Sequence, residues 1–163
     1  MASNGELLSS LLSDQAMVSP AIVSLLHAWQ LTGMAKHVGS LRQKYKISPP
    51  VTSGRDPAFD RGFRAQQNTL EFTPIFLILL WVAAKFLNPV LASVAGLLYI
   101  KGRWYYFDGY CAQAEKRLPG FYSAVRAIMV LFGLSVAGII HTTLSVYFNI
   151  NVIKIVGLEN YIP

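Results

Sequence analysis

The chain has 163 residues, a formal net charge of +6, and 13% charged against 53% hydrophobic residues, for a mean hydropathy of +0.42. A soluble domain carries roughly a quarter charged residues, so this composition excludes an ordinary water-soluble globule and points to one integral membrane domain over residues 1–163. A nucleic-acid binder would need a less apolar chain and a recognisable motif. The single cysteine, Cys111, excludes an internal disulfide and a multi-cysteine metal centre, and His27, His37 and His141 stand too far apart to form a metal motif.

Residues 1–17 form a polar, slightly acidic tail (Glu6, Asp14) without the basic start of a cleavable signal peptide. The first expected span, 18–40, is apolar at Ile22, Val23, Leu25, Leu26, Trp29 and Leu31 but carries Pro20, His27, Gln30, Lys36 and His37. Alone it is a marginal membrane helix; in a bundle its polar stripe can face protein. The connection 41–64 is basic, with an extended stretch expected at 47–51 because of Pro49 and Pro50, and turns at 52–54 and at Asp56-Pro57.

A second helix is expected from Arg64 to Leu87, spanning the membrane over 66–87, with Pro74 inside it. Arg64, Asn68 and Glu71 recur at i, i+4 and i+7 and so share one face. The short link Asn88-Pro89 makes the next helix antiparallel to it. This third span, 90–117, changes from apolar to polar and aromatic at Lys101. Arg103, Tyr106, Tyr110, Gln113 and Arg117 are spaced by three or four residues and line one stripe. A tight turn at 118–120 then leads to the fourth span, 121–148, and a peripheral tail, 149–163. The expected architecture is an all-α, integral membrane four-helix bundle.

The first and third connections hold nine of the fourteen basic residues: Arg42, Lys44, Lys46, Arg55, Arg61, Arg64, Lys116, Arg117 and Arg126. The positive-inside rule puts that side in the cytosol. Charges and amides pointing into a membrane bundle are costly and mark functional sites. Guanidinium groups at Arg64 and Arg117, with Arg42 or Arg103, suit carboxylates. Glu71 suits an ammonium, Gln66 and Asn68 suit amides, and Tyr106 and Tyr110 bring hydroxyls and rings. Glutathione offers two carboxylates, an amine, peptide groups and a thiol. A guanidinium near that thiol would favour the nucleophilic thiolate.

The motifs FxRxFRAQQNxxEFxPIF over 59–76, KYKISPP over 44–50 and GLLYIKGRWYYFDGY over 96–110 resemble the MAPEG family, the membrane-associated proteins of eicosanoid and glutathione metabolism. The resemblance implies a homotrimer in the endoplasmic reticulum or nuclear envelope, with glutathione sites between subunits near the cytosolic face. By motif, Arg64, Gln66, Asn68, Glu71, Tyr106 and Tyr110 match glutathione-contacting positions. Arg42 matches a residue that holds a glutathione carboxylate, and Arg117 matches the arginine that activates the thiol.

The implied activity is glutathione transfer to lipophilic electrophiles from the bilayer, with leukotriene A4, lipid hydroperoxides and xenobiotics as candidates, and a related peroxidase capacity. The resemblance implies glutathione as the co-substrate, no metal, and no role for Cys111 as nucleophile. Some relatives carry a second arginine where this chain has Gln43, which leaves no evident proton donor for an epoxide. Non-catalytic, lipid-presenting members of the fold are the alternative within the family. They lack arginines at the positions of Arg64 and Arg117, and this chain has both. A scaffolding membrane protein is the alternative outside it.

Overall fold

A computed structural model describes residues 15–150. The described residues form four α-helices, α1 (Val18–Tyr45), α2 (Pro57–Phe86), α3 (Pro89–Ala112) and α4 (Leu118–Phe148), with a 3-10 turn, Glu115–Arg117, between α3 and α4. Among the described residues there is no strand. Most of the expected terminal tails, 1–17 and 149–163, lies outside the described residues.

Several boundaries differ from the sequence expectations, and each has a local cause. The second helix begins at Pro57, not Arg64. Asp56 is its N-cap: the side chain accepts from the Ala58 and Phe59 amides at 2.8 and 3.2 Å, and Pro57 occupies the first turn, where its missing N–H costs nothing. An Asp-Pro pair is a helix start as readily as a turn. The same applies at 118–120. Leu118, Pro119 and Gly120 open α4 and are not a tight turn. Residues 48–51 are not extended: the Val51 amide donates to the Ser48 carbonyl at 3.2 Å and closes a turn. The third helix stops at Ala112, five residues short of Arg117, because Gln113 adopts extended backbone angles. The link between α2 and α3 is as short as expected, Leu87 and Asn88 alone separating the two helices. Asn88 caps α3 by accepting from Val90 and Leu91 at 2.8 and 3.0 Å.

The bundle core is built from Val23, Phe76, Leu80, Ala92, Tyr99, Ala124, Ala127 and Leu131 on all four helices. His27 and Gln30 of the α1 polar stripe face this interior. Gln30 donates from Nε2 to the Ile100 carbonyl at 2.8 Å, which turns its Oε1 toward His27 Nδ1 at 3.0 Å. The other ring nitrogen lies 3.0 Å from the Thr73 hydroxyl. Every side-chain polar atom of His27 and Gln30 is thus partnered, as burial away from water requires, while Lys36 and His37 of the same helix are exposed.

Outside, large apolar side chains are exposed on every helix, including Leu25 and Trp29 on α1, Ile78 on α2, Leu98 on α3 and Phe132 on α4. Such a continuous apolar exterior marks a membrane-facing surface. By length and composition α2 and α4 are apolar enough to cross a bilayer; α1 and α3 fall below that measure. The shortfall follows from His27, Gln30, Lys36 and His37 on α1 and from Lys101, Arg103 and Asp108 on α3.

Candidate functional site

One end of α2 and the facing ends of α3 and α4 enclose a cavity of about 330 Å³, lined by Arg64, Asn68, Tyr106, Tyr110, Arg117, Leu118, Phe121 and Tyr122. A second cavity of about 400 Å³ shares Arg64 and Tyr110 with it and adds Asp60, Arg61 and Gln67. Volumes of this size suit a small ligand.

The α2 side is set by helical spacing. Arg64 Nη1 lies 3.4 Å from Glu71 Oε1, two turns along, and Asn68 Nδ2 donates to Glu71 Oε2 at 3.4 Å. Both contacts are long and about half exposed, so the pair adds little stability. Its consequence is orientation: two donors and one carboxylate stand side by side at the cavity rim.

The α3 and α4 side is set by close backbone packing. A continuous helix would put Arg117 about 10 Å along the axis from Tyr110. The break at Gln113 instead folds 115–117 back over α3, and the Arg117 guanidinium lies over the Tyr110 ring, 5.0 Å from its centroid. The fold-back needs Gly109, because a Cβ there would sit 2.8 Å from the Lys116 carbonyl carbon. It also needs Gly120, where a Cβ would sit 2.5 Å from Tyr106 Cα. Arg117 is half-buried, and its Nη1 donates to the Ala114 carbonyl. Tyr106 stacks edge-on against Tyr110 at 5.8 Å and packs near Phe121 at 6.1 Å.

Of the residues singled out from sequence, Arg64, Asn68, Tyr106, Tyr110 and Arg117 line the cavity, with Glu71 bonded to two of them. Arg42 and Gln66 do not line it. Arg42 donates to the Val51 carbonyl at 2.8 Å and covers the rings of Phe59 and Phe63 at 4.9 and 5.6 Å. Gln66 is two residues from both Arg64 and Asn68, which turns it to another face of α2. Sequence reasoning missed Gly109 and Gly120 as spacers. It offered Arg103 as a carboxylate donor in place of Arg42, whereas Arg103 does not line the cavity and bonds Asn68 from within the bundle at 3.0 Å.

The arrangement can hold an anionic ligand between two guanidinium groups, receive an ammonium at Glu71, and set a reactive atom beside Arg117 and the tyrosines. Together with an all-helical bundle and an apolar exterior, that defines a membrane protein with a polar small-molecule site at one end of the bundle. The chain belongs to the MAPEG family, which it matches over residues 20–137. It is similar to human microsomal glutathione S-transferase 2, with 45% identity over 134 residues, covering 82% of this chain and 90% of that protein. It is also similar to bovine leukotriene C4 synthase, with 38% identity over 120 residues, covering 74% of this chain and 79% of that protein.

Proposed function

We propose that this chain is a membrane-bound glutathione transferase that joins the glutathione thiolate to lipophilic electrophiles. The observation that carries the reading is the convergence of Arg64, Asn68, Tyr106, Tyr110 and Arg117 on one cavity, in a chain similar to proteins named microsomal glutathione S-transferase 2 and leukotriene C4 synthase. Arg64 pairs with a glutathione carboxylate, Glu71 accepts from its ammonium, and Asn68 meets its peptide or carboxylate oxygens. Arg117 stabilises the thiolate, and the two tyrosine rings pack the tripeptide and limit water. The thiol releases its proton to solvent. The thiolate sulfur then bonds to the electrophilic carbon, and the bond from that carbon to its leaving group, or to an epoxide oxygen, breaks.

With a lipid hydroperoxide the same thiolate would attack the terminal oxygen. One glutathione disulfide, one lipid alcohol and one water then form from two glutathiones. The reading includes a homotrimer with four spans per subunit, in the endoplasmic reticulum or nuclear-envelope membrane, with the site toward the cytosol. Arg42 and Gln66 face away from the cavity of their own chain. In the trimer they would contribute to the site of a neighbouring copy, with Arg42 on a glutathione carboxylate. The electrophile would enter from the bilayer along the apolar groove between subunits.

The test is the ultraviolet difference spectrum of bound glutathione in detergent, for the parent and for Arg117→Ala. The expected result is a thiolate band at neutral pH that the variant loses while it still binds glutathione. A parent that binds no glutathione would overturn the transferase reading and favour a lipid-presenting role.

A further inference from the structure

One buried guanidinium has no role in the proposed function. Arg103 lies on α3, one turn before Tyr106, and is 0% exposed. Its charge is enclosed by three rings, with the Phe72, Tyr99 and Tyr106 centroids 4.2, 5.4 and 5.3 Å from the guanidinium carbon. Its Nε donates to the Tyr99 hydroxyl at 3.2 Å and its Nη1 to Asn68 Oδ1 at 3.0 Å. Its Nη2 has no hydrogen-bond partner among the described residues. There, the one ion pair within 4.0 Å joins Arg64 to Glu71, so no carboxylate neutralises Arg103.

A buried, unneutralised cation is expensive, and an apolar side chain of similar size would stabilise the bundle better. Packing therefore does not account for Arg103. What it does is orient a neighbour. Arginine has donors and no acceptor, so Asn68 must turn its carbonyl inward to meet it. The Asn68 amide nitrogen is then forced outward, and it donates to Glu71 Oε2 at 3.4 Å.

We infer that Arg103 is a positioning residue for glutathione: from inside the bundle it locks the Asn68 amide so that N–H, and not C=O, faces the cavity. The inference rests on the proposed function. Asn68 then offers the ligand only donors, which suit a carboxylate or peptide oxygen and reject a peptide N–H. The Asn68 and Arg64 donors lean on the same carboxylate, and their 3.4 Å lengths leave Glu71 capacity for a ligand ammonium. Arg103 touches no substrate in this scheme and acts through Asn68.

The experiment is a double-mutant cycle on the detergent-solubilised full chain, with Arg103→Met, Asn68→Ala and the pair. Glutathione Kd, kcat at saturating glutathione and thermal stability are measured for each. Each single change is expected to raise Kd by about tenfold, the worth of a hydrogen bond to a charged group. The pair should be no more than about threefold worse than either single, because both remove the same contact. With Arg117 intact, kcat of Arg103→Met at saturating glutathione should stay within about threefold of the parent.

Multiplying effects in the pair, or an Arg103→Met that loses stability while its Kd matches the parent, would overturn the inference. Should Arg103→Met fail to assemble, Arg103→Lys carries the test. It keeps a cation among the three rings but loses the rigid fork, so Kd should rise by about threefold, and a parental Kd would overturn the inference. A parent that binds no glutathione would overturn the proposed function itself and this inference with it. A parent that binds normally, beside Arg103 variants of unchanged affinity, would overturn the inference alone.

Discussion

Gly120→Ala should disable the site while adding a single methyl group that touches none of the ligand-facing atoms. A Cβ at this position would lie 2.5 Å from Tyr106 Cα and 2.6 Å from the Tyr105 carbonyl carbon. Separations under 3.0 Å are essentially never adopted, and both neighbours are backbone, which cannot rotate away. The start of α4 must therefore back off α3 by about 1 Å, carrying Arg117 away from Tyr110. Overpacking of this kind costs about 1–3 kcal/mol in stability, and a misplacement of about 1 Å can cost about a hundredfold in rate.

The assay is glutathione conjugation of a chlorodinitrobenzene in detergent, with thermal unfolding followed in parallel. Gly133→Ala is the control. It lies on the same helix with nothing within 4 Å of an added Cβ, so the gain of about 1 kcal/mol in helix propensity should be all that it shows. Gly120→Ala with kcat/KM within about threefold of the parent and an unchanged Tm would refute the claim that backbone contact sets the position of Arg117.

Arg117→Ala should shift the pH profile of kcat/KM for glutathione to the alkaline side. Without the guanidinium the thiol titrates nearer its ordinary value of about 8.5, so the rate should climb about tenfold per pH unit through neutrality. Stopped-flow turnover between pH 6 and 9 reads this directly. Asn88→Ala removes a buried N-cap that accepts two amides; the expected loss is about 1–2 kcal/mol, seen as a lower Tm with glutathione affinity unchanged. Gln30→Leu leaves His27 Nδ1 without its partner in the bundle interior and should cost about 1–3 kcal/mol by thermal unfolding, with the conjugation pH profile unmoved.

What the sequence made legible and what it hid separate along physical lines. The common face of Arg64, Asn68 and Glu71 followed from spacing on one helix, and the structure places them within hydrogen-bond reach of one another. The inward polar stripe of α1 followed from the cost of baring His27 and Gln30 to lipid. The helix starts at Pro57 and Leu118 were hidden because a proline next to Asp, or next to a glycine, marks a turn and a first helical turn equally well. Arg117 was expected near the tyrosines for the wrong reason. A continuous stripe would have left it about two turns beyond Tyr110, and the break at Gln113 brings it back.

The contact of Arg103 with Asn68 and the need for the two glycines were hidden for a deeper reason. Periodicity tells which side of a helix a residue occupies but not what the facing helix presents there. Arg103 is thirty-five positions from Asn68 in the chain, and its place on the α3 stripe does not tell which residue of α2 it meets. Gly109 and Gly120 could have belonged to a helix end and a turn, yet each is required only because another backbone passes over it. The cavity is thus a product of two contacts between helices: α4 pressed onto α3 through glycine, and α3 tied to α2 through a buried guanidinium. The first sets Arg117 beside the tyrosines, and the second aims Asn68. Relaxing the first should move kcat, and relaxing the second should move the glutathione Kd, so the two can be separated by kinetics even though they meet in one site.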